Sequence, residues 1–407
     1  MPNRAARLPE VEIPKEYRVK LPKATTGGSL VQTEFVNLGI KNQIYLEQYA
    51  EHLRGKVVKI LERAQTEICK TLLDNDPTVV PLTEWKKKRL QNLKAQIGEI
   101  LEDHYQKVGD VTKAEMLKLA SFQKDYTVAS ANRAFGVNLF DVNLTPENLE
   151  AIATQTMIQG QVIGKWWAEK PLAYQQKMEK AINQGMEQIE LGLVRGEAVG
   201  DLIRRIRGYK SATGAYHPGV MNVAYHEAAA LVRTSVMQVA QTVRRAIYDQ
   251  NADVIKGLQV VATLDTRTTP LCKALDGTEY TLEGQSLDGG RPLPPGPPFH
   301  WQCRSTLVPI VKSYAELVKG KGKLSKAKLD ELEKMDQGTR ASMTGQVPAV
   351  LNYNEWLKTM PESVQIEALG PARWELWKTG KITMADMVHQ NGRPLTIEEL
   401  RKKIADE

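Results

Sequence analysis

The sequence predicts a mainly α-helical protein with a small α+β domain, in which a helical N-terminal region precedes a mixed domain with a short sheet. Three observations support this fold class. Apolar residues recur at spacings of three and four from Leu46 to Leu72, as on one face of a long helix. A second such pattern fills residues 224–250. Short β-branched runs appear only after it, at 258–265 and 305–311.

Composition limits the classes of protein to which the chain can belong. Its 407 residues exceed what one compact core usually holds, so more than one domain is expected. Hydrophobic residues at 42% and charged residues at 25% are typical of a soluble globular protein. Three cysteines are too few for a disulfide framework and indicate a reducing compartment. We expect neither a secretory signal nor a membrane span, because no apolar run is long enough.

The N-terminal part divides into an arm and a helical region. Residues 1–35 mix proline, charge and β-branched residues without a helical period, which predicts an extended arm. Residues 36–140 are predicted to form a helical bundle or hairpin. A long helix stops at 74–77, a second ends at Gly109, and a third begins at a capping box of Thr112 and Glu115.

The following segment, residues 141–311, is predicted to be a mixed domain. Thr145 is placed as an N-cap before Pro146 at the first helical position. Two helices broken at Gly196 occupy 178–208, and a loop leads into the long helix at 224–250. The two short strands should form a small sheet packed on that helix. Residues 312–349 indicate a Lys-rich linker, and 350–407 a C-terminal region of short helices.

Familiar catalytic signatures are missing from the sequence. It contains no phosphate-binding loop, no dinucleotide fingerprint after a strand, no HExxH and no GxSxG. The enzyme classes that those motifs define are therefore excluded. His226 and Glu227 stand next to each other on a predicted helix, where a surface or core role is favoured over catalysis.

A cluster of soft ligands is the strongest chemical feature. His300 and Cys303 are separated by two residues in a loop, so both can face one tetrahedral site, and Cys272 can supply a third ligand. Two thiolates and an imidazole suit zinc, although a structural zinc site has four ligands. The alternatives are buried thiols in a tight loop, a disulfide, or a catalytic cysteine paired with His300.

Charged residues flank this cluster. Asp265 ends the first predicted strand, where an aspartate usually caps the following turn. Arg267 and Arg304 are expected to form buried ion pairs with Asp265 or Asp276, which are costly to break.

Three stretches carry a resemblance to a known family. "ALVRTSVMQVAQTVRRA", "LDTRTTPLCKALDG" and "PPFHWQCRSTLVPI" together resemble the Mu-F-like minor head proteins of tailed bacteriophages, the head-morphogenesis family. Residues 353–388 also resemble the C-terminal tail of many members. The positions that match the family pattern, and that we expect to hold the domain's fold, are Arg233, Thr234, Asp265, Arg267, Thr268, Cys272, Asp276, Gly277, His300, Cys303 and Arg304.

The sequence departs from the family at two positions. Many members have further cysteines where this chain has Thr269 and Ser305. A four-cysteine metal site is therefore excluded, and any zinc would be held by the reduced set of Cys272, His300 and Cys303.

The resemblance implies a structural protein without enzymatic activity. It implies a minor capsid protein in the virion, inside the head at the portal vertex, and in the host cytoplasm during assembly. There it would assist procapsid assembly and DNA packaging or ejection. The implied partners are the phage portal protein, the major capsid or scaffold protein and non-specific DNA, with no membrane. Residues 36–140 and the arm are the candidate portal contacts.

Two rival functions remain at this stage. One is a small hydrolase or transferase that uses the Cys272, His300 and Cys303 cluster, with Cys272 or a zinc-bound water as nucleophile. The other is a non-specific DNA-binding protein, for which the net charge of +7 and the pI near 9.0 are suitable.

Overall fold

A computed structural model describes residues 30–74, 84–135, 138, 140–190, 198–312, 339–349, 351–389 and 391–406. Helices dominate these ranges, which confirms the predicted mainly α fold class. The helices are α1 Leu30–Asp74, α2 Glu84–Phe135, α3 Pro146–Gln155, α4 Ile163–Glu190, α5 Ala198–Arg207, α6 Val220–Gln250, α7 Pro270–Leu275, α8 Tyr353–Lys358, α9 Glu362–Leu369, α10 Pro371–Trp377 and α11 Ile397–Asp406. The strands are β1 Met157–Ile158, β2 Gln161–Val162, β3 Tyr209–Lys210, β4 Tyr216–His217, β5 Ile255–Val261, β6 Glu279–Tyr280, β7 Thr306–Val311, β8 Thr339–Ser342 and β9 Gly345–Pro348.

Helices α1 and α2 pack against each other in opposite directions. Asn42 near the start of α1 donates to Gln123 near the end of α2, with 3.0 Å between Nδ2 and Oε1. Glu67 near the end of α1 lies 3.4 Å from His104 in the first half of α2. The apolar stripe predicted between Leu46 and Leu72 is buried in this interface. The expected helical hairpin is therefore present.

Two details of the N-terminal prediction are wrong. Residues 30–35 belong to α1 rather than to an extended arm, while residues 1–29 lie outside the described part of the chain. Helix α2 also continues through Gly109, so the capping box does not form and Thr112 is buried within the helix. A glycine inside a helix costs about 1 kcal/mol relative to alanine. Burial of Tyr105, Val108 and Met116 on the same face outweighs that cost.

The mixed domain is built around α6 and a small sheet. The sheet is antiparallel, with β5 in the centre between β6 and β7. Leu258 of β5 pairs with Tyr280 on one side and Pro309 on the other. Both α6 and α1 contact β7. At Gly39, α1 comes so close that an added Cβ would lie 2.5 Å from Cγ1 of Val308. The sheet thus packs on the predicted helix and on α1.

Several boundaries in this region differ from prediction. The segment 208–222, predicted as a loop, contains the hairpin of β3 and β4 and the start of α6. Strand β6 was not predicted, because a two-residue strand carries no alternating pattern. The predicted linker 312–349 contains the β8–β9 hairpin, while its Lys-rich part at 313–338 lies outside the described residues. The predicted break at Gly196 also lies outside them, between α4 and α5.

The C-terminal helices surround a second apolar core. Tyr353, Trp356 and Leu400 are fully buried there, and Leu264 from the segment after β5 joins the same cluster. Short helices were predicted for this region, and they are present. Within the described ranges, no helix is both long and apolar enough to cross a membrane.

We expect Glu115 to make the α1–α2 pair sensitive to acid. Its carboxylate accepts from the Tyr49 hydroxyl at 2.7 Å and from Lys56 Nζ at 3.0 Å. Burial alone would raise the pKa of Glu115, but the hydrogen bonds from Tyr49, Lys56 and Lys118 outweigh it and lower the pKa to about 2. Since the folded-state pKa is lowered, the stabilisation is present above the unfolded value and is lost as pH falls towards 2.

The Glu115→Gln variant should therefore unfold at lower denaturant concentration at pH 7 and approach the wild type below pH 3. Urea unfolding followed by circular dichroism across this range measures the difference. An equal difference in the urea concentration at mid-unfolding between the two proteins at pH 7 and at pH 3 would contradict the role given to Glu115.

Candidate functional site

The structure brings Cys272, His300 and Cys303 together. The Cys272 Sγ lies 3.2 Å from Nε2 of His300 and 3.7 Å from Sγ of Cys303. All three ligand atoms lie within 4.8 Å of one another. Both cysteines are buried, and neither forms a disulfide. The predicted cluster is therefore one compact site.

Helix α6 holds the loop that carries His300 and Cys303. The Thr234 hydroxyl accepts from the Gln302 backbone N–H at 3.0 Å. The Arg233 guanidinium donates to the Gln302 side chain at 2.7 Å and forms an ion pair with Glu51 of α1. Gln302 has a φ of 58°, a left-handed conformation that local sequence does not favour. Arg233 and Thr234 thus fix this turn from outside.

Helix α7 supplies the other part of the site. Pro270 is the first residue of this helix, and Cys272, the third, is buried. The Thr269 hydroxyl, just before the helix, lies 2.9 Å from Nε2 of His300. The Ser305 hydroxyl forms a hydrogen bond with Cys272. Both positions noted above as departures from the family pattern, Thr269 and Ser305, therefore contact the cluster.

The hydrogen bonds determine the protonation of the imidazole. His300 Nδ1 lies 2.9 Å from the Trp301 carbonyl oxygen, which can only accept. Nδ1 therefore carries a proton, and in the neutral ring the Nε2 lone pair faces the thiols. The bond between the thiols lowers the pKa of Cys303 and, together with burial, raises the pKa of Cys272. Cys303 is therefore the more acidic of the two thiols.

The donor set fits zinc. Two thiolates bound to a tetrahedral zinc at about 2.3 Å lie about 3.8 Å apart, close to the 3.7 Å between the two sulfurs. The hydrogen bond from Nδ1 to the Trp301 carbonyl is the kind of contact that orients a metal-binding histidine. Among the described residues the group has three ligands, one fewer than a structural zinc site. Zinc bound here would join α7 to the 300–303 loop.

Asp265 forms one of the expected ion pairs. Arg304 donates to both of its carboxylate oxygens, at 2.6 Å and 2.8 Å. Thr268 donates to the same carboxylate at 3.0 Å, as expected for a capped turn. Arg267 is 80% exposed and only approaches Asp265, at 3.6 Å. Burial alone would raise the pKa of Asp265, but the Arg304 guanidinium holds that pKa below its usual value.

Asp276 pairs with a residue that sequence reasoning missed. Its side chain is fully buried and lies 3.2 Å from Arg340 Nη2, while the Ala262 N–H donates to it at 2.7 Å. Arg340 falls in the stretch interpreted as a linker; the Thr-Gly turn between β8 and β9 was the available signal. Of the two carboxylates expected to pair with Arg267 or Arg304, Asp265 pairs with Arg304, whereas Asp276 pairs with Arg340. Gly277 is required here, because its φ is +82°.

A cavity of about 290 Å³ borders the cluster on the Cys303 side. Its charged lining comes from Glu47, Glu51, Arg233, Arg267 and Arg304. Three arginines and two glutamates leave the lining with a small excess of positive charge, and Cys303 is only 1% exposed. A larger cavity of about 620 Å³ lies between α2, α3 and α4 and is lined by none of the predicted site residues.

Comparison with protein families finds a match within this domain. Residues 177–308 match the family model described as Phage Mu protein F like protein. That segment contains every site residue predicted from the sequence. No curated protein and no solved structure matches the chain.

The buried ion pair provides a stability test. Arg340→Met leaves the Asp276 carboxylate buried and unpaired, which should lower the free energy of unfolding by about 3–5 kcal/mol. The control Arg267→Met removes an exposed arginine from the same region and should cost no more than about 1 kcal/mol. Chemical denaturation measures both, and equal losses would contradict the role given to Arg340.

The metal hypothesis predicts a gain of affinity at position 269. Thr269→Cys places a third thiolate beside His300 Nε2 and should raise zinc affinity by roughly tenfold or more. Cys272→Ser should lower it. Competition with a chromophoric chelator measures the zinc affinity. The absorption spectrum of the cobalt-substituted protein reports the number of thiolate ligands.

Thr266→Cys is the matched control, because Thr266 contacts Glu367 instead of the cluster. Zinc binding that is absent from both the wild type and the Thr269→Cys variant would exclude a metal site.

Proposed function

Because residues 177–308 match the family model described as Phage Mu protein F like protein, we propose that the chain is a minor head protein of a tailed bacteriophage. In this proposal it binds at the portal vertex inside the head and assists procapsid assembly and DNA packaging or ejection. The match over the segment that contains the cluster is the observation that carries the proposal.

The burial of the matched residues supports a structural role. Cys272 and Cys303 are 2% and 1% exposed, and the Asp276 side chain is fully buried. Side chains placed in this way hold elements together and offer little to a substrate. We assign these buried residues to the fold of the domain rather than to a reaction.

Helices α1 and α2 are the proposed portal contact. With 45 and 52 residues, they are about 68 Å and 78 Å long. Ile44 and Phe122 are each 37% exposed on this pair, and the Tyr45 ring lies 4.6 Å from the Phe122 ring. Exposed apolar side chains that lie together mark a protein contact more often than isolated ones do.

The rival function is a thiol-dependent hydrolase or transferase. The observation that favours it is the 290 Å³ cavity beside Cys303, the cysteine with the lowered pKa. Cys303→Ser distinguishes the two. A structural role predicts a lower melting temperature, whereas a catalytic role predicts an unchanged melting temperature and the loss of an activity.

Cross-linking mass spectrometry on assembled heads tests the portal contact. Exposed lysines on both helices can report it, namely Lys41, Lys59, Lys70, Lys107 and Lys118. We expect cross-links from these lysines to the portal protein. Heads that lack the protein, or cross-links confined to the C-terminal helices, would contradict the proposal.

A double variant tests the apolar contact itself. Ile44→Glu with Phe122→Glu should lower incorporation into heads severalfold without a change in melting temperature. Met343→Glu is the control, since Met343 is 48% exposed in the β8–β9 turn and belongs to neither helix.

A further inference from the structure

A buried arginine lies where α6 meets α1, α2 and β7. Arg244 of α6 is 3% exposed and lines a cavity of about 20 Å³ together with residues of the other three elements. We infer that this cavity binds one small inorganic anion, with chloride as the ligand, and that the anion neutralises the Arg244 guanidinium. We call it the Arg244 cavity; its polar lining is Asn42, Tyr126, Thr127, Ser130, Arg244 and Tyr248.

The positive charge of Arg244 lacks a counter-charge. Within the part of the chain that the structure describes, its Nε and Nη2 atoms form no hydrogen bond, and no aspartate or glutamate lines the cavity. Arginine stays protonated in proteins, so this guanidinium carries its charge into the interior. Buried charges are paired or bind an ion, because an unpaired charge loses its hydration without compensation. The missing partner is therefore negative.

The neighbouring titratable groups do not supply that negative charge. Burial lowers the pKa of Arg244, and the groups that oppose this effect are Tyr248 and Tyr126. Burial also raises the pKa of both tyrosines, that of Tyr248 to about 12, so both hydroxyls are neutral at pH 7. The Tyr126 hydroxyl already donates to the Leu38 carbonyl at 3.0 Å. A ligand from solution has to provide the charge instead.

The volume of the cavity limits what can bind there. A single water needs about 10–15 Å³, so about 20 Å³ holds one occupant of similar size. A chloride ion meets that limit, whereas a phosphate or a carboxylate has several heavy atoms and exceeds it. Gly39 and Val308, which approach closely where α1 meets β7, both line the cavity and keep it small. The class of ligand is therefore a monatomic anion.

Asn42 supplies further donors when its amide is turned over. In the structure its Nδ2 donates to Gln123 Oε1 at 3.0 Å, while its Oδ1 has no hydrogen-bond partner among the described residues. The oxygen and nitrogen of an amide are assigned from their hydrogen bonds. With both amides turned over, Gln123 Nε2 donates to Asn42 Oδ1, and the Thr127 hydroxyl, 3.0 Å away, donates to Gln123 Oε1. The unpartnered position of Asn42 then carries N–H groups, which suit an anion.

The test measures the melting temperature of the full chain against chloride concentration. Sodium chloride replaces sodium gluconate at constant ionic strength, so that screening is unchanged. Between about 1 mM and about 300 mM chloride the wild type should gain about 2–4 °C, because the ligand binds the folded state. Arg244→Met should abolish this gain. At about 1 mM chloride the variant should melt no lower than the wild type, because methionine removes the unpaired charge.

Arg245→Met is the matched control. Arg245 is the next residue of α6, but it is partly exposed and pairs with Asp249 at 2.9 Å. Its response to chloride should equal that of the wild type, and equal loss of response in both variants would overturn the Arg244 cavity as the site. Arg244→Lys keeps the charge with fewer donors and should retain a weaker response, which provides the test should the methionine variant fail to fold.

A wild-type melting temperature that does not depend on chloride would overturn anion binding and assign the cavity to a water between Arg244 and Asn42. Acetate that stabilises the wild type as strongly as chloride would overturn a monatomic anion in favour of a carboxylate.

Anomalous diffraction locates the ion directly. Crystals grown in bromide, which replaces chloride, should show an anomalous peak within hydrogen-bond distance of the Arg244 guanidinium, and crystals of Arg244→Met should lack it. No peak at Arg244 in the wild type would overturn the proposal. A peak there without any effect of chloride on melting would mean an adventitious ion only, and would overturn it as well.

Discussion

The ion pair between Asp276 and Arg340 is the interaction on which the arrangement of the domain depends. The two side chains are 0% and 3% exposed, so neither charge could stay buried without the other. Asp276 lies just after α7 and also accepts from the N–H of Ala262 after β5, while Arg340 comes from β8. One carboxylate therefore fixes three segments distant in sequence. It also places Cys272, four residues earlier, against the loop that carries His300.

A second ion pair completes this arrangement from the other side. Arg304 follows Cys303 directly and binds both carboxylate oxygens of Asp265, whose own carbonyl accepts from Tyr353 at 2.7 Å. The cluster thus lies between two carboxylate–guanidinium pairs that connect the sheet to the C-terminal core. This explains why charged residues accompany the cysteines in the sequence: they hold the backbone that brings the thiols together. A metal would reinforce a geometry that these pairs already define.

The long helices connect this domain to the rest of the molecule. Helix α1 packs on α2, α6 and β7, and its Glu51 reaches Arg233 beside the cluster. The face proposed for the portal and the loop of the cluster are therefore parts of one packed body.

The sequence by itself determined the helices, because a periodic apolar face marks them, and it determined which residues form the cluster. It also identified β5 and β7 and the turn capped by Asp265. It could not show that α2 continues through Gly109, because buried neighbours outweigh the local cost of glycine. It could not identify Arg340 as the partner of Asp276, since no local sequence pattern indicates a contact 64 positions away. Pairing of buried charges is decided by which segments meet in three dimensions, and only the tertiary structure settles that.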